Sequence, residues 1–403
     1  MSSKPVFLVV GGANLAEVRD AVARRGGCAV GVNFHEAVAR MQPHEVVVHS
    51  EGVDFTHPLG VVRQLMELHK QWNFQAIVPI SEYGLQPSAL LASQLKLPAL
   101  SLKAVQNTRD KLRMRKVLEQ AGLGQVRYAV CTTLEQAAAF LEDVAGPIIV
   151  KPHGGSGSDG VSKVTDGSQL AAAFQLATAA RSHHGSILCE EFIEGPEVSV
   201  EGYSTQGTFV PVAITDKMTD ERFLEVGHNQ PSQHPTEVQQ AAFDFTARAL
   251  AALGVERAVS HTELKLTPRG PVMIETHTRM GGDFIHVLTE RTTGVDLADV
   301  LVGLAFGEEP QVKPRRTGRA AAIRFKKCEQ GGLILQVHTP PVEPGSLIES
   351  AQVYLKPGDV ALARSSSLDR LGHVIAVGPE DQDVGLAAER ALNAMHVKVE
   401  DAA

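Results

Sequence analysis

Three glycines, Gly155, Gly157 and Gly160, stand between two strand-like runs, and no other segment limits the fold as much. Their spacing is a literal GxGxxG, preceded by the apolar strand Pro147 to Lys151. In a dinucleotide-binding fold a helix follows that motif, whereas here Val161-Ser162-Lys163-Val164 is alternating and β-branched. The loop therefore joins two strands and reads as a flap. Lacking a Cβ, such a loop lets backbone N–H groups close over phosphates; a plain glycine-rich hairpin is the alternative. A Walker Gly-Lys-Ser/Thr never occurs, and the HRD and DFG elements of a protein kinase are absent. Lys151 lies before the loop at the end of an apolar strand, where a lysine either snorkels to solvent or binds phosphate. Beside a flap, we read it as a phosphate ligand.

The chain around this segment is long and mixed. Its 403 residues argue for two or three domains, and 43% hydrophobic against 21% charged residues supports folding throughout. A net charge of −8 argues against a nucleic-acid backbone as the main ligand. Cys28, Cys131, Cys189 and Cys328 stand far apart without metal-ligand spacing, which fits a reducing compartment. The apolar run after Lys4 is too short for a signal segment or a membrane span, so the expected location is the cytoplasm.

Local patterns divide the chain into three parts. Residues 1–100 read as an N-terminal α/β domain: PVFLVVGG, LAEVRDAVARRG and CAVGVNF give strand, helix, strand. A helix from Val61 to Gln71 leads to the strand QAIVPISEYG. The Gly11-Gly12 turn lacks a third glycine, and tight packing explains the pair as well as a nucleotide does. Residues 101–205 form a central part with a helical lead-in, the flap, a helix near Gln169 to Ala180, and the acidic hinge SILCEEFIEGPEVSVEGY. Residues 206–403 form a C-terminal part with a long helix, Pro235 to Leu253, whose expected buried face is Val238, Ala241, Phe245 and Ala249. The segment EVGHNQPS before it reads as a polar, turn-rich loop, in which His228 either touches substrate or is merely solvated. Beyond residue 308 the strands AAIRFKK and GHVIAVG and the helix DVGLAAERALNAM read as structural only.

Two further features carry chemistry. The segment NTRDKLRMRKVLEQAGL reads as one helix capped by Asn107 or Thr108 and ended by Gly122. That puts Lys111 in a first turn, where the helix dipole disfavours a cation, so either it is simply solvated or something else holds it. The segments SHTELKL and PVMIETH read as a hairpin; with residues 268 to 270 as its loop, Glu263 falls opposite Glu275. Facing carboxylates repel unless one is protonated or a cation lies between them, and Mg²⁺ suits that place. A surface pair separated by a register slip is the alternative. Arg279, four residues on, adds positive charge for phosphates or a developing oxyanion.

Lys111, Lys151, the flap, the acidic hinge and the paired-glutamate hairpin together resemble the ATP-grasp ligases, in that family's order, over residues 75 to 310. The resemblance implies an α/β fold: a parallel-sheet domain preceding ATP-grasp domains of α+β type. It implies that Lys111, Lys151 and the loop Ser156-Gly157-Ser158 to Gly160 hold ATP phosphates. Backbone groups of Glu190 and Ile193 would meet adenine, and Glu197 the ribose. Glu263 and Glu275 match magnesium ligands, and one or two Mg²⁺ ions are implied, with Mn²⁺ as a substitute. Many members read Glu-x-Asn-Pro-Arg where this chain has Glu275-Thr276-His277-Thr278-Arg279, so His277 either replaces the asparagine as a metal ligand or stands behind the ligands.

Within that family, EVGHNQPS, SHTELKL and Arg279 followed by MGGD are most similar to the L-amino acid ligases that make dipeptides, of the bacilysin-synthetase type. By position, Glu82 and His228 would line an amino-acid site. Asp283, where one such ligase has a bulky aromatic residue, would leave room or recognise a polar or basic side chain. Arg279 would be catalytic, stabilising the oxyanion when an amine attacks an acyl phosphate. Expected partners are small-molecule substrates, amino acids, with neither nucleic acid nor membrane, and the N-terminal sheet and C-terminal helix leave a homodimer plausible. The alternatives are a carboxylating or purine-pathway ligase on the same ATP site, and an ATP-binding module without catalysis.

Overall fold

The computed structural model describes residues 4–154, 160–180, 185–328, 330–363 and 367–400. Four strands, Val6–Val10, Cys28–Asn33, Val47–Gly52 and Ala76–Pro79, form a parallel sheet in the order third, second, first, fourth. The β-branched runs of the first, second and fourth strands are mostly buried, as a parallel sheet covered by helices requires, while the edge strand Val47–Gly52 is half-exposed. Helix Ala16–Arg24 covers one side, and helix Pro58–Trp72, with proline in its first turn, the other. The Gly11-Gly12 turn is a packing feature: a Cβ on Gly11 would lie 1.9 Å from Ser81 Oγ, and one on Gly12 would lie 2.5 Å from Ile80 Cγ2.

The chain then enters an antiparallel sheet made of Tyr128–Cys131, Ile187–Glu191, Ile148–Pro152 and Ser162–Val164, in that order. The expected strands on either side of the glycine loop are therefore paired neighbours. Gly155, Ser156, Gly157 and Ser158 lie outside the described residues; Gly160, at the far end of the loop, has φ +75°.

An eight-stranded antiparallel sheet makes up most of the remainder. Its order is Gly270–His277, Ala258–Thr267, Glu197–Thr205, Thr208–Thr219, Glu225–Gln230, Arg319–Lys326, Gly372–Pro379 and Ile348–Val353. Helix Leu297–Phe306 is almost wholly buried and joins the N-terminal sheet to this one through a shared apolar core of Phe7, Val9, Tyr203, Val259 and Leu301. No helix among the described residues is long and apolar enough to cross a membrane.

Three local expectations are corrected. The helix drawn through Asn107–Gly122 is two helices, Leu102–Arg109 and Lys111–Gln120, broken at Asp110 in extended conformation. Asp110 is the cap, accepting from the N–H groups of Leu112 and Arg113, while Asn107 donates to Leu253 O and Thr108 bonds back to Ala104 O. The long helix, Thr236–Leu253, buries Ala242, Phe245, Thr246, Ala249, Leu250 and Leu253, with Val238 half-buried against the same core, so of the expected face only Ala241 is exposed. The supposed loop EVGHNQPS contains the strand Glu225–Gln230, paired on one side with Asp216–Thr219 and on the other with Ala321–Arg324. Its alternation is too short and polar to read as a strand without those neighbours.

Candidate active site

A cavity of about 340 Å³ opens where the central sheet faces the large one, a size in the range of small-molecule sites. Apolar side chains, among them Val126, Ile149, Phe192, Ile193 and Ile274, line part of it, and charged groups line the rest. Lys111, Lys151, Glu190, Ile193, Glu197, His228, Glu263, Glu275, His277, Arg279 and Asp283 all reach this one cavity. The hinge and the hairpin, distant in sequence, thus share a space.

Lys151 ends its strand with its ammonium 2.6 Å from Glu190 Oε2, and Arg115 reaches Glu190 Oε1 at the same distance. Both pairs are buried. Burial alone would raise the Glu190 pKa, but the two cations hold it at about 2. Lys151 moves the other way from the usual paired lysine: burial, then Arg115 and Lys111, push its pKa down, and one carboxylate shared by two cations does not restore it. This corner therefore carries positive charge in excess, which an anion such as a phosphate would balance. The expected backbone contact of Glu190 with a base is corrected. Glu190 sits in a central strand opposite both Tyr128 and Ile149, so its backbone belongs to the sheet and its carboxylate orders the cations. The N–H groups of Glu191 and Phe192 are also taken, by Arg127 O and Pro147 O. Glu197, expected at a ribose, is ion-paired with Lys217 at 3.2 Å and Lys265 at 3.1 Å.

The hairpin brings Glu263 opposite Glu275, by a route different from the one the turn suggested. Thr267 pairs with Gly270, so the loop is only Pro268-Arg269; a bulge between Glu263 and Leu264 then absorbs Ile274 and brings the glutamates into line. Burial would raise both carboxyls, yet Lys217 holds Glu263 down and Lys111 holds Glu275 well down, so both are ionised. Lys111 lies 2.7 Å from Glu275 Oε2, which explains a lysine in a helix's first turn. Two ionised carboxylates facing one cavity match what Mg²⁺ takes from a protein when phosphates and water complete its shell. Among the described residues no group of three or more acidic, His or Cys side chains has metal-site geometry. His277 has Nε2 3.0 Å from Glu275 and Nδ1 2.9 Å from Glu82, and its pKa is raised against burial by Glu82. Both of its nitrogens thus face carboxylates.

Glu82 does not line the cavity. It comes from the N-terminal domain and contacts His277, Arg279 (3.3 Å) and Arg109 (3.2 Å) from behind, which keeps it ionised at about 2 despite burial. Arg279 is thereby steered, its Nη1 also donating to Met280 O at 2.8 Å. His228, expected in a loop, is fully buried on its strand with Nε2 3.3 Å from Asp283 Oδ2. Asp283 is not free to meet a substrate: Arg370 donates to both its oxygens, at 2.5 and 3.0 Å. This overturns the view that everything past residue 308 is structural, since Ser367 lines the cavity and Arg370 holds its wall.

Other residues of the site escaped the sequence reading. Lys217, 2% exposed, contacts Glu197, Glu225 and Glu263 together. His261 sits between Glu201 and Glu263, and Glu201, outweighing burial, raises its pKa to about 9. Arg115 also donates to the carbonyls of Met273 and Ile274. A usable signal is Lys217 just past the apolar run VPVAI, a weaker form of the signature that marks Lys151 because Thr215 and Asp216 stand between.

Residues 144–287 match the ATP-grasp domain family, and residues 339–400 match the L-amino acid ligase C-terminal domain 2. Alanine–anticapsin ligase of Bacillus subtilis (strain 168) is 28% identical over 272 residues, 62% of this chain and 58% of that protein. The chain thus spans less than two thirds of that relative's length. Dapdiamide A synthase of Enterobacter agglomerans is 26% identical over 363 residues, 85% of this chain and 81% of the relative. The crystal structure of an L-amino acid ligase from Bacillus licheniformis superposes with a TM-score of 0.85 at 21% identity, covering 99% of both chains, which establishes a common fold. The chain thus carries an ATP-grasp domain and the C-terminal domain 2 of the L-amino acid ligases.

Proposed function

We propose that the protein is an ATP-dependent carboxylate–amine ligase that joins two L-amino acids, releasing ADP and phosphate. The observation that carries this reading is the convergence, in one cavity, of two buried lysines and two facing carboxylates, in a chain that ends in an L-amino acid ligase domain. A substrate carboxylate attacks the γ-phosphate of ATP to give an acyl phosphate, and the amine of the second substrate then displaces phosphate. Lys151 and Lys111 hold the phosphates, the former using the charge that Glu190 leaves uncompensated. Glu263 and Glu275 hold Mg²⁺, which supplies charge neutralisation at the phosphates; Mn²⁺ serves in its place. Ile193, the first hinge residue past the paired backbone, offers its backbone to adenine. Arg279, oriented by Glu82, steadies the oxyanion as the amine attacks. The glycine loop, including Ser156, Gly157, Ser158 and Gly160, covers the phosphates and excludes water that would hydrolyse the acyl phosphate.

The test is phosphate release over all pairs of proteinogenic amino acids, with bicarbonate in parallel and mass spectrometry of any positive pair. Dipeptide formation that Glu275→Ala abolishes is expected. Release with bicarbonate alone would move the reading to a carboxylating ligase, and ATP binding without release on any substrate would leave a binding module.

A further inference from the structure

The face of the large sheet that lines the cavity is polar by alternation. Glu197 stands opposite Lys265, Ser199 opposite Glu263 and Glu201 opposite His261, and residues two apart on a strand share a face. Lys217 comes to that face from the neighbouring strand Thr208–Thr219, in step with Thr215, which pairs with Ser199. Its side chain is 2% exposed, and its ammonium contacts carboxylates from three other strands: Glu263 Oε1 at 2.5 Å, Glu197 Oε1 at 3.2 Å and Glu225 Oε1 at 3.5 Å. An ammonium has three N–H donors, one for each.

The oxygens of these three carboxylates are not used alike. Glu197 Oε2 has Lys265 at 3.1 Å, and Glu225 Oε2 has Ser367 at 2.6 Å and Arg370 at 3.3 Å. On Glu263 both contacts fall on one oxygen, since His261 Nε2 lies 3.2 Å from the Oε1 that Lys217 already holds. Glu263 Oε2 has no hydrogen bond or ion pair among the described residues, and Glu263 lines the cavity. The ammonium itself sits where three carboxylate oxygens come within 3.5 Å of a single point, a setting that suits a hard divalent cation as well. Two cations cannot share that point, because like charges repel strongly at short range in a buried place.

We propose that Lys217 is a positioning residue: its ammonium fills the place among Glu197, Glu225 and Glu263 that a divalent cation would otherwise take, and so keeps a metal on the hairpin side of Glu263. This inference rests on the reading of Glu263 and Glu275 as metal ligands. With Lys217 in place, Glu263 has only Oε2 to offer a metal. Without Lys217, each of the three carboxylates keeps one cationic or polar partner, Lys265, Arg370 or His261, so the strands stay joined. A negative charge is then left uncompensated, and the gap draws in a divalent cation in place of the ammonium.

The experiment measures Mn²⁺ binding by electron paramagnetic resonance, and Tm with and without Mn²⁺, in the full chain free of nucleotide. Wild type is compared with Lys217→Met, with Lys217→Arg, and with Lys217→Met combined with Glu225→Gln. Lys217→Met is expected to bind one Mn²⁺ about tenfold or more tighter than wild type, and Mn²⁺ should restore most of the Tm that the substitution removes. Lys217→Arg keeps the charge and should bind Mn²⁺ as weakly as wild type. The double variant, with one carboxylate fewer, should lose part of the gain. A merely structural role of Lys217 would lower Tm without tightening Mn²⁺. Equal Mn²⁺ affinity in wild type and Lys217→Met would overturn the inference, as would a gain of the same size in Lys217→Arg. If Lys217→Met is unfolded without metal, Mn²⁺ must refold it, and failure to do so counts against the inference as well. The metal reading is tested apart from this, by ADP-promoted Mn²⁺ binding to the wild type that Glu275→Ala removes. Its absence would sink that reading and the role of Glu263 Oε2, while the nucleotide-free comparison still decides whether Lys217 holds a cation's place.

Discussion

Two parts of the cavity lining handle charge in opposite ways. Around Lys151, the two cations Arg115 and Lys151 share the one carboxylate of Glu190, and Lys151 is left with a lowered pKa. Around Asp283, the guanidinium of Arg370 is bracketed by Asp283 and Glu225, and burial fails to raise the Asp283 carboxyl because His228 and Arg370 hold it far down. An end left out of balance stores an affinity for an anion at some cost to the free protein. Around Arg370 the two carboxylates outnumber the one guanidinium, so the imbalance there has the opposite sign. The same residue types therefore leave opposite charge in excess at two places of one cavity.

That contrast can be broken at Arg115, where the largest loss of stability is expected. Arg115→Met removes four hydrogen bonds, three of them buried, and leaves Glu190 with one partner, and denaturant unfolding should show a loss of about 3–5 kcal/mol. Lys151→Met sharpens it from the other side. Because burial and the neighbouring Arg115 and Lys111 oppose the charge on Lys151, the variant should lose no more than about 1 kcal/mol of stability. Its turnover should nonetheless fall about 10²–10³-fold, with ADP affinity reduced in calorimetry.

Acid separates the two kinds of carboxylate contribution next. The Glu190 pKa is depressed from 4.5 to about 2, so its stabilising effect is complete above pH 4.5 and is lost as pH falls toward 2. The difference in unfolding free energy between wild type and Glu190→Gln should include about 3 kcal/mol from this source at neutral pH and shrink steadily below pH 4.5. A difference that holds constant from pH 6 to 3 would contradict the pairing. The smallest effect is expected outside the cavity, where Arg24 bridges Asp296 and Asp299 with half its side chain exposed. Arg24→Ala should change stability by less than about 1 kcal/mol, and added salt should shrink even that.

Much of the site could be read from local patterns. Lys151 betrayed itself as a charge at the end of an apolar strand, and Lys111 as a cation at a helix start. Glu263 and Glu275 were paired from turn residues and a period of two, although the turn was one residue shorter than supposed and a bulge made up the difference. His228 was placed in a loop because EVGHNQ has no apolar alternation; it is a strand only because Asp216–Thr219 and Ala321–Arg324 lie on either side. Glu190 was given a backbone role that its position between two neighbouring strands forecloses.

By itself the sequence determined the two strands around the glycines, the two lysines and the hairpin that carries Glu263 and Glu275, because turn chemistry and side-chain alternation act within a dozen residues, whereas the bulge that sets the two glutamates face to face was not legible there. The tertiary structure alone decided which charges are left unbalanced. Glu190 meets Arg115 across 75 positions, Glu82 meets His277 across 195, and Asp283 meets Arg370 across 87. A buried charge takes its state from whatever the closed chain places within a few ångströms, and no local period encodes that neighbour.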